Sequence, residues 1–134
     1  MENDEVTYFS PIPEEECRSL LGSVEFGRVA WTADDGVMVL PVNFQLVDGH
    51  VVFHTAQGST LAKIADGANV AFQADEIDPD SAIGWSVLLR GTTRQAPANI
   101  PAHSWMSDER SLGVMIEETS LSGRVISGRK REQS

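Results

Sequence analysis

Residues 37–47 alternate between two sets of side chains without a break, and this pattern constrains the fold more than any other in the chain. One face carries Met38, Leu40, Val42, Phe44 and Leu46, and the other carries Val37, Val39, Pro41, Asn43 and Gln45. Successive side chains of a β-strand point to opposite faces, so a period of two predicts a strand over Val37–Val47. Asp34-Asp35-Gly36 precedes it and Asp48-Gly49 follows it, and each glycine can take the positive φ of a tight hairpin turn. The region therefore predicts an antiparallel meander.

The same reasoning extends along the chain. Further strands are predicted over Phe26–Ala33, His50–Thr55, Asn69–Asp75 and Trp85–Gln95, with a sixth marked by Leu112, Val114 and Ile116. Arg124–Ser127 is predicted as a short seventh strand, or as a continuation of the sixth after a turn at Ser122-Gly123. Residues 76–81 are interpreted as an acidic loop and residues 97–108 as irregular, because Pro97 and Pro101 disrupt a ladder. Many short strands without a strand–helix rhythm predict a mainly β chain, a closed or partly closed antiparallel barrel with short helices.

Two short helices interrupt the strands. Pro13 opens the first, Glu14–Glu16 suit its positive end, and Gly22 stops it. The second follows Gly58-Ser59-Thr60, where Leu61, Ile64 and Ala65 recur at helical spacing behind a hydroxyl cap.

Length and charge define the class of protein. The chain has 134 residues with 10 Lys+Arg against 20 Asp+Glu, a net charge of −10. That suits one domain and argues against a general binder of nucleic acid or anionic membranes, which needs a positive surface. We expect a loose lead-in over residues 1–12, one domain over 13–128 and a basic tail over 129–134.

The cysteine count and the hydropathy of the chain give expectations on disulfides, metal binding and location. The single cysteine, Cys17, cannot form an internal disulfide, and its acidic surroundings are expected to raise the pKa of the thiol and disfavour a nucleophilic role. No Cys/His set has the spacing of a zinc site, so no metal is expected. The chain shows neither a signal peptide nor an apolar run long enough to span a bilayer, which predicts a cytoplasmic protein.

Two features indicate a ligand. The segment His54–Thr60 runs from a strand end to a helix start, where free N–H groups, hydroxyls and the nearby Lys63 can form an anion pocket; the alternative is that Ser59 or Thr60 merely caps the helix. The second feature is one face of the predicted strand over Val37–Val47, where Pro41 interrupts the ladder and Asn43 places an amide two residues further on. That arrangement can recognise the edge of a planar heterocycle, or it can be an exposed barrel edge.

Several segments together resemble a known family. They are Gly27-Arg28-Val29-Ala30, Leu40-Pro41-Val42-Asn43-Phe44, Val52-Phe53-His54-Thr55 with Gly58-Ser59-Thr60-Leu61, Val70-Ala71-Phe72, Gly84-Trp85-Ser86-Val87-Leu88-Leu89-Arg90-Gly91 and Ser122-Gly123-Arg124-Val125-Ile126. In this order and spacing, over roughly residues 11–128, the chain resembles the pyridoxamine 5′-phosphate oxidase-like proteins, small bacterial flavin-binding split-barrel proteins.

The resemblance implies a six-stranded antiparallel Greek-key split barrel that works as a homodimer, with two FMN sites at the subunit interface. The flavin ring would lie along Leu40–Asn43, and the phosphate would be held around His54–Lys63. The implied cofactor-binding residues are Leu40, Pro41, Val42, Asn43, His54, Thr55, Ser59, Thr60, Lys63 and Trp85. For Trp85, a wall of the cleft and a core tryptophan are alternatives.

One departure from the family bears on the phosphate. Many relatives have a lysine where this chain has Thr60; Lys63 falls on the same helix side and can replace it, or Arg28, Arg90 or Arg124 can. With FMN bound, the resemblance implies a flavin-dependent oxidoreductase of a small substrate, with no catalytic acid or base identified beyond a weak candidate in His54. The alternatives are a split-barrel binding protein that carries F420 or haem, and a cofactor-free dimer that acts through protein contacts.

Overall fold

The computed structural model describes residues 8–101 and 112–128. The elements are β1 (Tyr8–Pro11), α1 (Glu14–Leu21), β2 (Phe26–Ala33), β3 (Gly36–Val47), β4 (His50–Thr55), a single 3-10 turn (Leu61–Ile64), β5 (Asn69–Asp78), β6 (Ile83–Gln95) and β7 (Leu112–Ser127). None of the helices in these two ranges is long and apolar enough to cross a membrane. The expectations for residues 1–7, 102–108 and 129–134 lie outside the described residues.

Six of the strands close into a ring. Their order is β4-β3-β2-β5-β6-β7, and β7 returns to pair with β4, all antiparallel. Strand β5 lies beside β2 after the β2-β3-β4 meander, which is the Greek-key arrangement. The predicted antiparallel barrel with short helices is thus confirmed.

The seventh strand corrects two expectations. Strand β1 pairs with the second half of β7, from Tyr8 opposite Ser127 to Pro11 opposite Arg124. The strand count is therefore seven rather than six, and a loose lead-in is wrong for Tyr8–Pro11. Backbone pairing holds this strand in place, since its Phe9 side chain stays 56% exposed.

The β5–β6 hairpin is longer than predicted. Strand β5 continues to Asp78, and Glu76 pairs with Trp85 inside the region interpreted as a loop. The proline that follows, Pro79, has no N–H to donate and marks the end of the ladder. Strand β7 runs from Leu112 to Ser127, so residues 124–127 continue the sixth predicted strand, but the turn expected at Ser122-Gly123 is wrong because both residues pair with β6.

The alternation of β3 positions its two faces as the pattern predicts. Val42 and Phe44 are buried, and the Phe44 ring meets Phe72 edge-on with centroids 4.8 Å apart. On the outer face, Val37 and Val39 are 73% and 53% exposed. The core lies inside the ring, and the outer face of β3 remains open to a ligand or partner.

Helix α1 packs against one end of the ring. Its buried residues are Cys17 and Leu21, and the Cys17 thiol donates to the Ile12 carbonyl at 3.7 Å. Burial, reinforced by the charges of Glu14 and Glu16, raises the pKa of the Cys17 thiol. The direction is the one predicted, but burial and not the acidic surroundings is its main cause. A raised pKa keeps the thiol protonated and unreactive.

Candidate functional site

Strand β3 has an open edge over its first eight residues. It pairs with β4 only from Phe44 to Val47, so no described strand borders Gly36–Asn43 on the β4 side. The Phe44 N–H points toward β2, where it donates to the Glu25 carbonyl at 2.9 Å. Hydrogen-bonding direction alternates along an antiparallel strand, so the backbone groups of Val37, Val39 and Pro41 point to the open edge. This edge offers N–H donors and carbonyl acceptors beside exposed apolar side chains.

Pro41 belongs to this edge. It lies directly opposite Arg28 of β2, but its ring nitrogen is on the side that β4 does not cover. A proline there loses no ladder hydrogen bond, which explains how it is tolerated in the middle of a sheet. The side chains of Leu40 and Val42 face the core, and their backbone N–H and carbonyl groups point toward β2, so neither residue offers a hydrogen bond at the open edge.

The polar neighbours of Pro41 are partly engaged within the chain. The Asn43 amide nitrogen donates to the Glu25 carbonyl at 2.8 Å. The Arg28 guanidinium donates to the Gln73 side-chain carbonyl at 3.3 Å and lies 4.0 Å from the Asp75 carboxylate. Arg28 is therefore close to the edge, with its charge partly compensated.

The loop after β4 is held together by hydroxyl groups. The Thr55 and Ser59 hydroxyls are 2.8 Å apart, and the Ser59 oxygen accepts a hydrogen bond from Ala62 N–H at 3.2 Å. Ser59 is thus the hydroxyl cap that the sequence predicts. Thr55 is only 1% exposed, so its role is to hold Ser59 in place rather than to contact a ligand.

The helix after this loop is a single 3-10 turn over Leu61–Ile64, and it still presents Lys63 on the same side as Thr60. The Lys63 N–H donates to the Thr60 carbonyl at 3.2 Å. With three residues per turn, side chains three positions apart lie one above the other. Thr60 and Lys63, both exposed, therefore share one side of the turn, as the sequence predicts.

His54 is held as a neutral imidazole. Its Nε2 lies 3.2 Å from the Ile100 carbonyl, and a carbonyl only accepts, so Nε2 carries the proton and Nδ1 the lone pair. Burial lowers the pKa of the ring, against a smaller opposing effect of the Ile100 hydrogen bond. The buried Nδ1 has no hydrogen-bond partner. As it stands, His54 can accept a proton or a hydrogen bond at Nδ1.

Trp85 lies elsewhere in the same chain. It is on the inner face of β6, partly buried against the core, and lines a pocket beside α1. Thr55 pairs with Leu112 and Trp85 pairs with Val125, thirteen positions apart on β7. That is roughly 40 Å along the strand at ~3.3 Å per residue. One copy thus brings together Thr55, Ser59, Thr60 and Lys63, but not Trp85.

A Greek-key barrel with one strand edge left open defines the class as a split barrel. The chain belongs to the pyridoxamine 5′-phosphate oxidase family, whose model matches residues 13–110.

Individual relatives agree with this assignment. An uncharacterised Mycobacterium tuberculosis protein, Rv0080, is 31% identical over 124 residues, covering 84% of this chain and 82% of the relative. The solved structure of an FAD-binding protein from Mycobacterium smegmatis is 33% identical with a TM-score of 0.72, covering 88% of this chain and 98% of that one. An FAD-binding protein from Mesorhizobium loti has a TM-score of 0.74 at 20% identity, covering 91% of this chain and 99% of that one, and shows the same fold.

Proposed function

We propose that this protein binds a flavin nucleotide along the open edge of β3 and the loop that carries Lys63, and that it oxidises or reduces a small substrate. The observation that carries the proposal is the unpaired β3 edge at Pro41. The 33% identical relative from Mycobacterium smegmatis, an FAD-binding protein, supports it. We further propose a cytoplasmic location, as the sequence predicts.

The open edge of β3 offers groups that fit the ring of a flavin nucleotide, and the loop that carries Lys63 offers groups that fit its phosphate. The polar edge of the ring presents alternating acceptors and a donor, which match the Val39 N–H and the carbonyl groups of Val39 and Pro41. A phosphate suits the Ser59 and Thr60 hydroxyls with the Lys63 ammonium. In a chain with net charge −10, this local positive charge is what draws an anion to the loop.

A bound flavin supplies the hydride chemistry, and this chain's residues position it. Thr55 holds Ser59, and Ser59 and Thr60 donate hydrogen bonds beside Lys63. The exposed Val37 and Val39 offer an apolar surface that a flat ring can cover. His54 is neutral, and because its Nδ1 is buried and its pKa is lowered by burial, no acid or base role is assigned to it.

The proposed site is completed by a second copy. Trp85 lies at the far end of β7 from the loop in the same copy, so a homodimer is the arrangement that can bring this side chain to the ring. An exposed, partly apolar strand edge also favours being covered by a partner. We therefore propose a homodimer with two flavin sites between the subunits.

The first experiment is an absorbance spectrum of freshly purified protein, followed by titration of the apoprotein with FMN and with FAD. We expect flavin bands and quenching of flavin fluorescence on binding. The sequence favours FMN, while the Mycobacterium smegmatis relative binds FAD; the ring and inner phosphate are common to both, and the two titrations decide between them.

Lys63→Ala is expected to weaken flavin binding at least about tenfold, because a charge-assisted hydrogen bond is lost. Lys130→Ala, at the only other lysine of the chain, is the matched control and should leave the affinity unchanged. Unchanged affinity in Lys63→Ala would mean that an arginine, and not Lys63, binds the phosphate. A Soret band in the spectrum would identify the cofactor as haem instead of a flavin, and a deazaflavin spectrum would identify it as F420. Colourless protein that gains no thermal stability from excess FMN or FAD would overturn the proposal.

A further inference from the structure

A cavity lies between α1 and the end of the β5–β6 hairpin, and its lining includes neither the β3 edge nor the Lys63 loop. Its volume is about 550 Å³, within the range of small-molecule pockets. The lining residues are Ile12, Glu16, Leu20, Glu76, Ile77, Asp78, Ile83, Gly84, Trp85 and Val125. We call it the α1 pocket.

The walls of the α1 pocket are largely apolar and open to solvent. Ile77 and Ile83 are 49% and 53% exposed, and Val125 is 36% exposed. Trp85 is partly buried beside them. Contiguous exposed apolar side chains of this kind are typical of binding surfaces on soluble proteins.

The charged groups of the α1 pocket are all acidic. Glu76 is directly opposite Trp85 in the β5–β6 ladder, which places their Cβ atoms about 5 Å apart on one face. Glu16 and Leu20, four residues apart on α1, share the helix face toward the pocket. None of the lining residues is basic. A carboxylate beside an indole ring is the combination that attracts an organic ammonium group, through ion pairing and the negative face of the ring.

We propose that the α1 pocket binds an organic cation, an ammonium group carried on an aromatic or aliphatic body. The apolar lining excludes a bare metal ion, which prefers a shell of oxygen ligands. The carboxylates disfavour an anion and give a cation an advantage over its neutral analogue. The proposal goes beyond flavin binding, and a single copy forms the pocket. Because Trp85 is also the proposed contact for the flavin of the partner subunit, the amine is titrated into flavin-free protein.

The test uses phenethylammonium and its neutral analogue 2-phenylethanol, titrated into full-length protein at pH 7. Binding is followed by calorimetry and by the NMR signal of the Trp85 indole N–H, assigned with Trp85→Phe. We expect the amine to shift this signal and to bind at least about tenfold more tightly than the alcohol. Equal affinity for the two probes, or no binding of the amine, would overturn the proposal.

Variants locate the binding site. Glu76→Gln and Glu16→Gln are each expected to weaken amine binding about threefold or more, and Trp85→Leu at least as much. Asp66→Asn removes the same charge from an exposed position outside the pocket and should leave the affinity unchanged. An equal loss in Asp66→Asn would mean that the amine responds only to the overall negative charge.

Two further outcomes would assign the α1 pocket to another occupant and overturn the proposal. If the chain's own basic segment occupied the pocket, it would compete with the amine. A tenfold gain in amine affinity in the triple variant Arg129→Gln, Lys130→Gln, Arg131→Gln would therefore assign the pocket to this segment. Amine affinity that falls as the protein concentration rises would assign it to a second copy. Trp85 is shared with the proposed flavin contacts, whereas Glu76 and Glu16 are not. Glu76→Gln and Glu16→Gln, measured in both the amine and the flavin titrations, therefore distinguish failure of amine binding from failure of flavin binding.

Discussion

At the scale of single residues, His54 shows how a polar side chain is accommodated on the outer face of a strand. Its Nε2–H donates a hydrogen bond to the Ile100 carbonyl, and its Nδ1 is buried without a partner. Charging the ring would place a second N–H at Nδ1, where no acceptor is available, in addition to the cost of desolvating the charge. Folding therefore favours the neutral ring, and this preference makes stability depend on pH.

We expect the free energy of unfolding to fall as the pH is lowered through the unfolded-state pKa of His54, about 6.5. The pKa is lowered in the folded state, so below this pH the unfolded chain takes up the proton first, and each pH unit costs at most about 1.4 kcal/mol. Urea unfolding at pH 7.5, 6.5 and 5.5 should show a smaller fall in His54→Gln than in the parent protein. His50→Gln serves as the control. Identical pH profiles for parent and His54→Gln would contradict the expectation.

At the scale of elements, α1 is fastened to β7 by one two-pronged ion pair. Arg18 Nη1 and Nη2 donate to Oε1 and Oε2 of Glu118, each at 2.8 Å. Hydrogen bonding to Glu118 raises the pKa of Arg18, so the guanidinium keeps its charge. By contrast, the Arg94–Glu117 pair has a single contact at 3.2 Å, and its side chains are 52% and 51% exposed.

Double-mutant cycles should separate the two ion pairs. For Arg18→Ala and Glu118→Ala we expect a coupling energy of about 0.5–1 kcal/mol, because the paired geometry is bidentate and Glu118 is partly buried. For Arg94→Ala and Glu117→Ala we expect less than about 0.3 kcal/mol, as solvent screens an exposed single contact. Thermal or urea unfolding gives both numbers. Equal coupling energies in the two cycles would show that the second hydrogen bond of the Arg18–Glu118 pair adds nothing to stability.

Elements with a local pattern could be predicted from the sequence, and elements made by distant pairing could not. The β2-β3-β4 meander follows from alternation and turns, and its bounds agree to within a residue. Strand β1 has no such signal, because its partner Ser127 is more than a hundred residues away from Tyr8. The pattern also locates the Lys63 loop and the Pro41 edge. It cannot show that Trp85 belongs to a different end of the barrel, because that depends on the length and pairing of β7.

At the scale of the whole molecule, the proposed composite site makes a prediction about mixed dimers. Lys63→Ala and Trp85→Leu should each bind flavin poorly, one through the phosphate and the other through the ring. In a mixed dimer, one site carries both substitutions and the other carries neither. Refolding the two variants together should therefore restore high-affinity binding at up to half of the sites of the mixed dimers.

The control is each variant refolded alone, which should show no recovery in a flavin fluorescence titration. Mixed samples that bind no better than the single variants would mean that Lys63 and Trp85 do not meet across an interface. Sedimentation of the parent protein checks independently whether a dimer forms.

The position of β7 also has a consequence for the order of folding events. This strand joins β1, β4 and β6, so it closes the ring and anchors the N-terminal strand in one step. A chain leaves the ribosome from its N-terminus, and until residues 112–127 have emerged, β4 and β6 each have a vacant side. The hairpins can form early, whereas the closed barrel has to wait for its last strand. Such distant pairing places barrel closure among the slow, millisecond-to-second folding reactions.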